Sequence, residues 1–138
     1  MDNVLTMVGL ALRAGRLAVG EEPVGTACRA RDCRLLLLAS DAADNTVRRA
    51  ERFAQAGQCL TASLPCSREE LGAAVGRGSC AMAAVTDTGL AGAIAQRLAQ
   101  RDPERYGELA RRLEVKARRA DQRRQEQRSR DRKPRGAK

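Results

Sequence analysis

Leu35-Leu36-Leu37-Leu38-Ala39 is a continuous apolar run with no polar alternation. A strand exposed on one face alternates apolar and polar residues. An unbroken run of this length instead predicts a central strand covered on both faces. The pattern on either side agrees. Upstream, Val4, Leu5, Val8 and Leu12 share one face of a first helix that Gly15 stops, and Leu17-Ala18-Val19 is a short extended piece. Glu21 and Glu22 open a second helix, where carboxylates suit the positive end of the dipole, and it runs to about Ala30. Pro23 fits its first turn, where an N–H has no helical partner.

Downstream, Asp41 to Asn45 is a polar turn. A third helix then turns Val47, Ala50, Phe53 and Ala54 inward and ends at Gly57. A weak strand at Cys59–Ala62 precedes Pro65. Ser67 with Glu70 three residues on forms a capping box, so a short helix starts there. Ala81–Val85 is a further strand, and a fifth helix carries Leu90, Ala91, Ile94, Ala95 and Leu98 on one stripe. Strands and helices alternate through residues 1–100. The expectation is an α/β fold, with a small mixed sheet between two helical layers, because some strands lie too close for full crossovers.

Asp102-Pro103 starts one more helix by cap and first-turn logic. Tyr106, Leu109, Leu113, Ala117 and Ala120 keep a thin apolar stripe, after which no large apolar residue occurs. Residues 101–138 are therefore expected to dock near their start and fray into a basic arm by Lys133-Pro134-Arg135-Gly136.

The net charge of +9 is unevenly distributed. Residues 1–100 hold 11 Arg against 10 acids, whereas residues 101–138 hold 15 basic residues against 7 acids. This is the layout of a folded domain with an arm for phosphates; a solubilising tail is the plainer reading of the same run. With one Tyr, one Phe and no Trp, recognition of single strands by ring stacking is not expected. No apolar run reaches the ~20 residues a membrane span needs, and Met1-Asp2-Asn3 lacks the start of a signal peptide. The expected location is the cytoplasm, with no membrane partner.

Catalytic chemistry finds little support. The chain has no His, no paired carboxylates with a plausible pocket, and a Gly72–Gly78 stretch without the ending of a P-loop. Cys28, Cys33, Cys59, Cys66 and Cys80 are odd in number and contain no CxxC pair. They are expected as free, mostly buried thiols, with no metal or cofactor. A non-enzyme is expected.

Four stretches together carry a resemblance. They are Leu10-Ala11-Leu12-Arg13-Ala14-Gly15-Arg16-Leu17 with Val19-Gly20-Glu21-Glu22; Leu36-Leu37-Leu38-Ala39-Ser40-Asp41-Ala42; Ser67-Arg68-Glu69-Glu70-Leu71-Gly72; and Cys80-Ala81-Met82-Ala83-Ala84-Val85-Thr86-Asp87. In order and spacing these resemble the bacterial YlxQ-type proteins, of the superfamily of large-subunit ribosomal proteins that bind kink-turn RNA. The resemblance covers about residues 1–98 and implies a three-layer α/β/α sandwich. It also implies that structured RNA, ribosomal RNA above all, contacts the start of the second helix and a loop before the last strand.

The superfamily's Gly-x-Asn-Glu-x-x-Lys stretch would fall on Gly20–Thr26. Gly20 matches, while Glu22, Pro23 and Thr26 replace Asn, Glu and Lys. The resemblance thus points to Gly20, Glu21, Glu22 and Thr26, to the acidic turn at Asp41, and to the loop Arg77, Gly78 and Ser79. Arg13 and Arg16 flank the first helix end and Arg29 and Arg31 the second, where they either line the RNA side or complement helix C-termini. For Glu21-Glu22 and for the loop glycines, simple helix-start and turn roles are the plainer readings. A module that binds ribosome or translation factors, and a nonspecific binder acting through its tail, are the alternatives.

Overall fold

The computed structural model describes residues 2–131. The predicted Lys133–Gly136 arm lies outside them. Ten elements follow in order: α1 (Asp2–Arg13), β1 (Leu17–Val19), α2 (Glu21–Arg29), β2 (Leu35–Leu38), α3 (Asp44–Gly57), β3 (Leu60–Ser63), α4 (Arg68–Ala74), β4 (Met82–Val85), α5 (Thr88–Arg101) and α6 (Pro103–Asp131). The sheet is mixed, with strand order β1-β4-β2-β3. β2 runs parallel to β3, joined by α3 as the crossover, and antiparallel to β4, which also pairs antiparallel with β1.

The four leucines of β2 are all buried, and their alternation across the sheet explains the unbroken run. Leu35 and Leu37 face one layer with Ala83 and Val85 of β4, against Val4 and Val8 of α1, Leu71 of α4 and Ile94 and Leu98 of α5. Leu36 and Leu38 face the other with Met82 and Ala84, against Val24 and Cys28 of α2 and Ala50 and Ala54 of α3. Each fully buried Leu contributes about 1.5–3 kcal/mol, so β2 is the seam of both cores. No charged or polar side chain is buried among the described residues.

The caps are largely as expected. Ser67 and Glu70 form the capping box of α4. Asp87 accepts from the Leu90 N–H at 2.8 Å to start α5, and Asp102 accepts from the Arg105 N–H at 3.1 Å to start α6. Gly57 differs from its expected role. It is the last residue of α3, and the left-handed position falls on Gln58, φ 54°. Gly57 is needed for space, because a Cβ there would stand 2.7 Å from the Cys28 carbonyl oxygen. β3 and β4 each begin one residue later than expected.

α6 is no arm over its first turns. Tyr106 and Leu113 are buried in the same core as α1, α4 and α5. The Tyr106 hydroxyl donates to the Ser63 carbonyl at 2.5 Å, and the Arg105 guanidinium sits 5.1 Å from the Tyr106 ring centre. Farther along, Leu109 and Lys116 border a groove with Leu60 and Cys59. The helix therefore runs antiparallel along the edge strand β3, from its last residue past its first, and shields an edge that would otherwise be open to pairing. Residues 121–131 continue as helix and are exposed on every side. Among the described residues no helix is long and apolar enough to cross a membrane.

Candidate nucleic-acid interface

The strand register gathers the expected contacts at two opposite ends of the sheet. At the first end lie the ends of β1, β2 and β3 and the start of β4. Gly20 follows β1 there with φ 94°, a conformation side chains rarely adopt. Its N–H donates to the Met82 carbonyl at 3.2 Å, and its carbonyl accepts from the Val24 N–H at 3.0 Å, which starts α2. The N–H groups of that first turn have no helical partner and form the positive end of the helix.

The loop before β4 reaches this point. A Cβ on Gly20 would sit 3.6 Å from the Arg77 guanidinium. The loop folds back on α4, with the Arg77 N–H donating to the Gly72 carbonyl at 2.8 Å. Gly72 has to lack a side chain, because a Cβ would come within 2.7 Å of the Ser79 backbone nitrogen. Gly78 and Ser79 are exposed beside Arg77. The helix start and the loop thus share one surface, with Arg77 as its cation.

Two carboxylates near that surface have other partners. Glu21 accepts from Arg49 of α3 through both oxygens, at 2.7 and 2.9 Å. The pair is half-exposed and contributes ~1 kcal/mol or less to stability, yet it holds the Glu21 side chain against α3. Asp41 accepts from the Arg68 N–H at 2.8 Å and pairs with the Arg68 guanidinium at 3.6 Å, so it ties β2's end to the start of α4. Glu22 is exposed on the outer face of α2, bordering a shallow groove with Pro23, Thr26 and Arg29. The Thr26 hydroxyl accepts from Arg29 at 3.5 Å.

Arg16, Arg29 and Arg31 lie at the opposite end, where β1 and β2 begin and α2 finishes. Arg13 faces α4, bordering a groove with Glu70. At this far end Arg31 joins residues that sequence reasoning missed. A cleft of about 570 Å³ is lined by Arg31 and Arg34 on one side and by Lys116, Arg119 and Arg123 of α6 on the other. Five cations converge there, a field that concentrates anions. Arg31 and Gln58, the two non-glycine residues with positive φ among the described residues, both line it. Local spacing gave no sign of this cleft, since it exists only once α6 has docked.

The cysteines hold a second departure. Spacing gave no sign of a metal set, but the Sγ atoms of Cys28, Cys33 and Cys59 lie within 4.8 Å of one another. The Cys33 thiol hydrogen bond pulls Cys59 down to about 7 against the cost of burial, with the Cys28 thiol and the Lys116 ammonium acting in the same direction. Cys33 is pushed up, first by donating to Cys59 and then by burial. Burial, followed by the charge on Cys59, pushes Cys28 up to about 11. Cys66 and Cys80 lie in the other core, on the far face of the sheet.

No protein-family model matches the sequence, and no curated protein does. Among solved structures, a protein with unknown function from Bacillus halodurans C is similar at 29% identity and a TM-score of 0.63. The match covers 70% of this chain and 96% of that one. The likeness therefore takes in nearly all of the other protein and leaves part of this chain without a counterpart.

Proposed function

We propose that this protein is a cytoplasmic, non-enzymatic binder of structured RNA, of the YlxQ type, with ribosomal RNA as its natural class of partner. One observation carries the reading. The start of α2 and the loop before β4 form a single exposed surface, on which Arg77 stands beside the unpartnered N–H groups after Gly20.

Such a surface suits a bent RNA backbone. Phosphate oxygens accept from helix N–H groups and from a guanidinium, while glycine at the junction lets the backbone come close. The basic C-terminal segment supplies contacts of another kind. Residues 121–138 carry eight basic and three acidic side chains. Together with the five-cation cleft they give sequence-independent phosphate binding with steep salt dependence. If six phosphates are engaged, affinity falls by about a thousandfold between low and moderate salt.

Glu22, Pro23 and Thr26 mark a change in what the helix start reads. Pro23 removes one N–H, and a carboxylate at Glu22 accepts from base amino groups but repels phosphates. A second reading, a protein–protein module of the translation machinery, draws on the same carboxylates, since Arg49 neutralises Glu21 and leaves Glu22 exposed.

The test uses the full chain with a kink-turn RNA, the same RNA with its G·A pairs replaced, and a DNA duplex, each at two salt concentrations. Arg77→Ala is expected to weaken the intact kink-turn by about 10- to 100-fold, the worth of one charge-assisted hydrogen bond, and to erase its preference over the altered RNA. Replacing Arg123, Arg124, Arg128 and Arg130 by Gln is expected to weaken all three ligands alike and flatten the salt slope by about 3. Equal binding of DNA and both RNAs, unchanged by Arg77→Ala, refutes the proposal in favour of a tail acting alone. No binding at all favours the protein–protein module.

A further inference from the structure

Three thiols from three separate places in the sequence meet beneath the basic cleft. Cys28 lies in the last turn of α2, Cys33 in the connection to β2, and Cys59 between α3 and β3. Gly57 makes this possible. With no side chain at the end of α3, the Cys28 backbone comes close enough to set its sulfur against those of Cys33 and Cys59.

The separation suits a metal ion. Thiolates bind zinc at about 2.3 Å, so three of them around one ion stand roughly 4 Å apart. Sulfurs already within 4.8 Å need to close by less than about 1 Å. Cys28 and Cys33 are buried and Cys59 is half-buried, so the set is held by packing and still open on one side. Cys33 borders the five-cation cleft and Cys59 the adjoining groove, and Lys116 borders both.

The donors and their surroundings choose the ion. All three ligand atoms are sulfur, with no carboxylate in the set, which favours thiophilic ions over magnesium or calcium. Three thiolates around a divalent ion leave one net negative charge. Lys116, Arg31 and Arg34 stand around the openings to offset it. Cys28 and Cys33 belong to the same buried apolar cluster as Val24, Leu36 and Ala54, and Cys59 packs against it.

We propose that Cys28, Cys33 and Cys59 bind one thiophilic divalent cation, zinc in the first instance, with its fourth position open towards the clefts on either side of Lys116. Binding displaces the remaining thiol protons to solvent and changes no oxidation state. It clamps the end of α2 to the end of α3. The proposal is independent of RNA binding.

The experiment takes the full chain, reduced and freed of metal, and titrates it with Co2+ and then Zn2+. One equivalent of Co2+ is expected to raise a thiolate-to-cobalt charge-transfer band, and one equivalent of Zn2+ to abolish it. Cys59→Ser, the mildest change because this site is half-buried, is expected to lower zinc affinity by at least about 100-fold with an unchanged circular dichroism spectrum. In the unsubstituted chain, zinc should slow iodoacetamide labelling of Cys59 at least tenfold, which needs no variant to fold. Absence of the cobalt band, an undiminished zinc affinity in Cys59→Ser, or undiminished labelling in the presence of zinc each overturns the proposal. So does a disulfide within the trio, seen as a 2 Da mass loss in a thiol buffer of cytosolic poise.

Discussion

Cutting the chain at two places separates the part of α6 that belongs to the core from the part that projects. A chain ending at Arg101 loses Tyr106 and Leu113, both buried against the layer of α1, α4 and α5. Each removes about 1.5–3 kcal/mol of burial, and the lost Tyr106–Ser63 hydrogen bond adds about 1 kcal/mol. The total, about 4–7 kcal/mol, compares with the ~5–15 kcal/mol that holds a whole domain together. The cut also uncovers the outer edge of β3 and the side of α5 against which α6 packs.

Among the described residues, a chain ending at Ala120 loses only exposed helix. Urea unfolding followed by circular dichroism reads the difference. The chain ending at Ala120 should keep the midpoint and slope of the full protein, while that ending at Arg101 should be unfolded or nearly so. Leu113→Ala alone should cost about 2–5 kcal/mol, and Val115→Ala, two residues away and exposed, less than about 0.5. A chain ending at Arg101 as stable and cooperative as the full protein would refute the docking of α6. The same comparison decides where a tail-free protein for RNA binding should end.

Three further outcomes are expected. Gly57→Ala puts a Cβ 2.7 Å from the Cys28 carbonyl oxygen. Overpacking of about 2–3 kcal/mol outweighs the ~1 kcal/mol that Ala gains in a helix, and calorimetry should show a net loss of about 1–2 kcal/mol. Burial, followed by the charges of Glu70 and Asp41, pushes the Cys66 thiol from 9.0 up to about 11. A raised pKa in the folded state contributes fully below the unfolded value and is lost as pH rises through the folded one. Between about pH 9 and 11 the protein should therefore lose about 2 kcal/mol that Cys66→Ala does not lose, as denaturant titrations across that range will show. Gln58→Gly relieves a left-handed backbone at φ 54° and should raise thermal stability by about 0.5–1 kcal/mol.

Much of the architecture was legible because it is written locally. The leucines of β2 declare a strand with two covered faces, and Ser67 with Glu70 declares a helix start; both need only neighbours within a few residues. Gly57 was legible as a helix end and not as a contact, because the backbone it makes room for belongs to Cys28, far away in sequence. The same limit hid the partners of Glu21 and Asp41, which are Arg49 and Arg68. It also hid the cysteine trio, whose members stand at intervals no local metal motif uses. The two halves of the candidate interface were found separately, through a resemblance. That the Arg77 guanidinium lies beside Gly20 follows from β4 inserting beside β1, which no spacing announces. The basic cleft was least accessible of all, since three of its five cations ride on a helix whose docking depends on two side chains, Tyr106 and Leu113.

The strand order β1-β4-β2-β3 also bears on how the chain is made. β4 is the last strand in sequence, yet it lies between β1 and β2, and its residues Met82–Val85 supply both of their partners. A ribosome that has released only the first eighty residues has released β1 and β2 with facing edges and nothing to join them. At roughly 5–20 residues per second, seconds pass before β4 emerges, and longer before Tyr106 and Leu113 follow to close the edge of β3. Until then the nascent chain exposes unpaired strand edges and a run of four leucines, features that invite aggregation and engage chaperones. Completion of the sheet is thus deferred until β4 has left the exit tunnel, and synthesis halted before it yields a product in which β2 can pair with β3 alone.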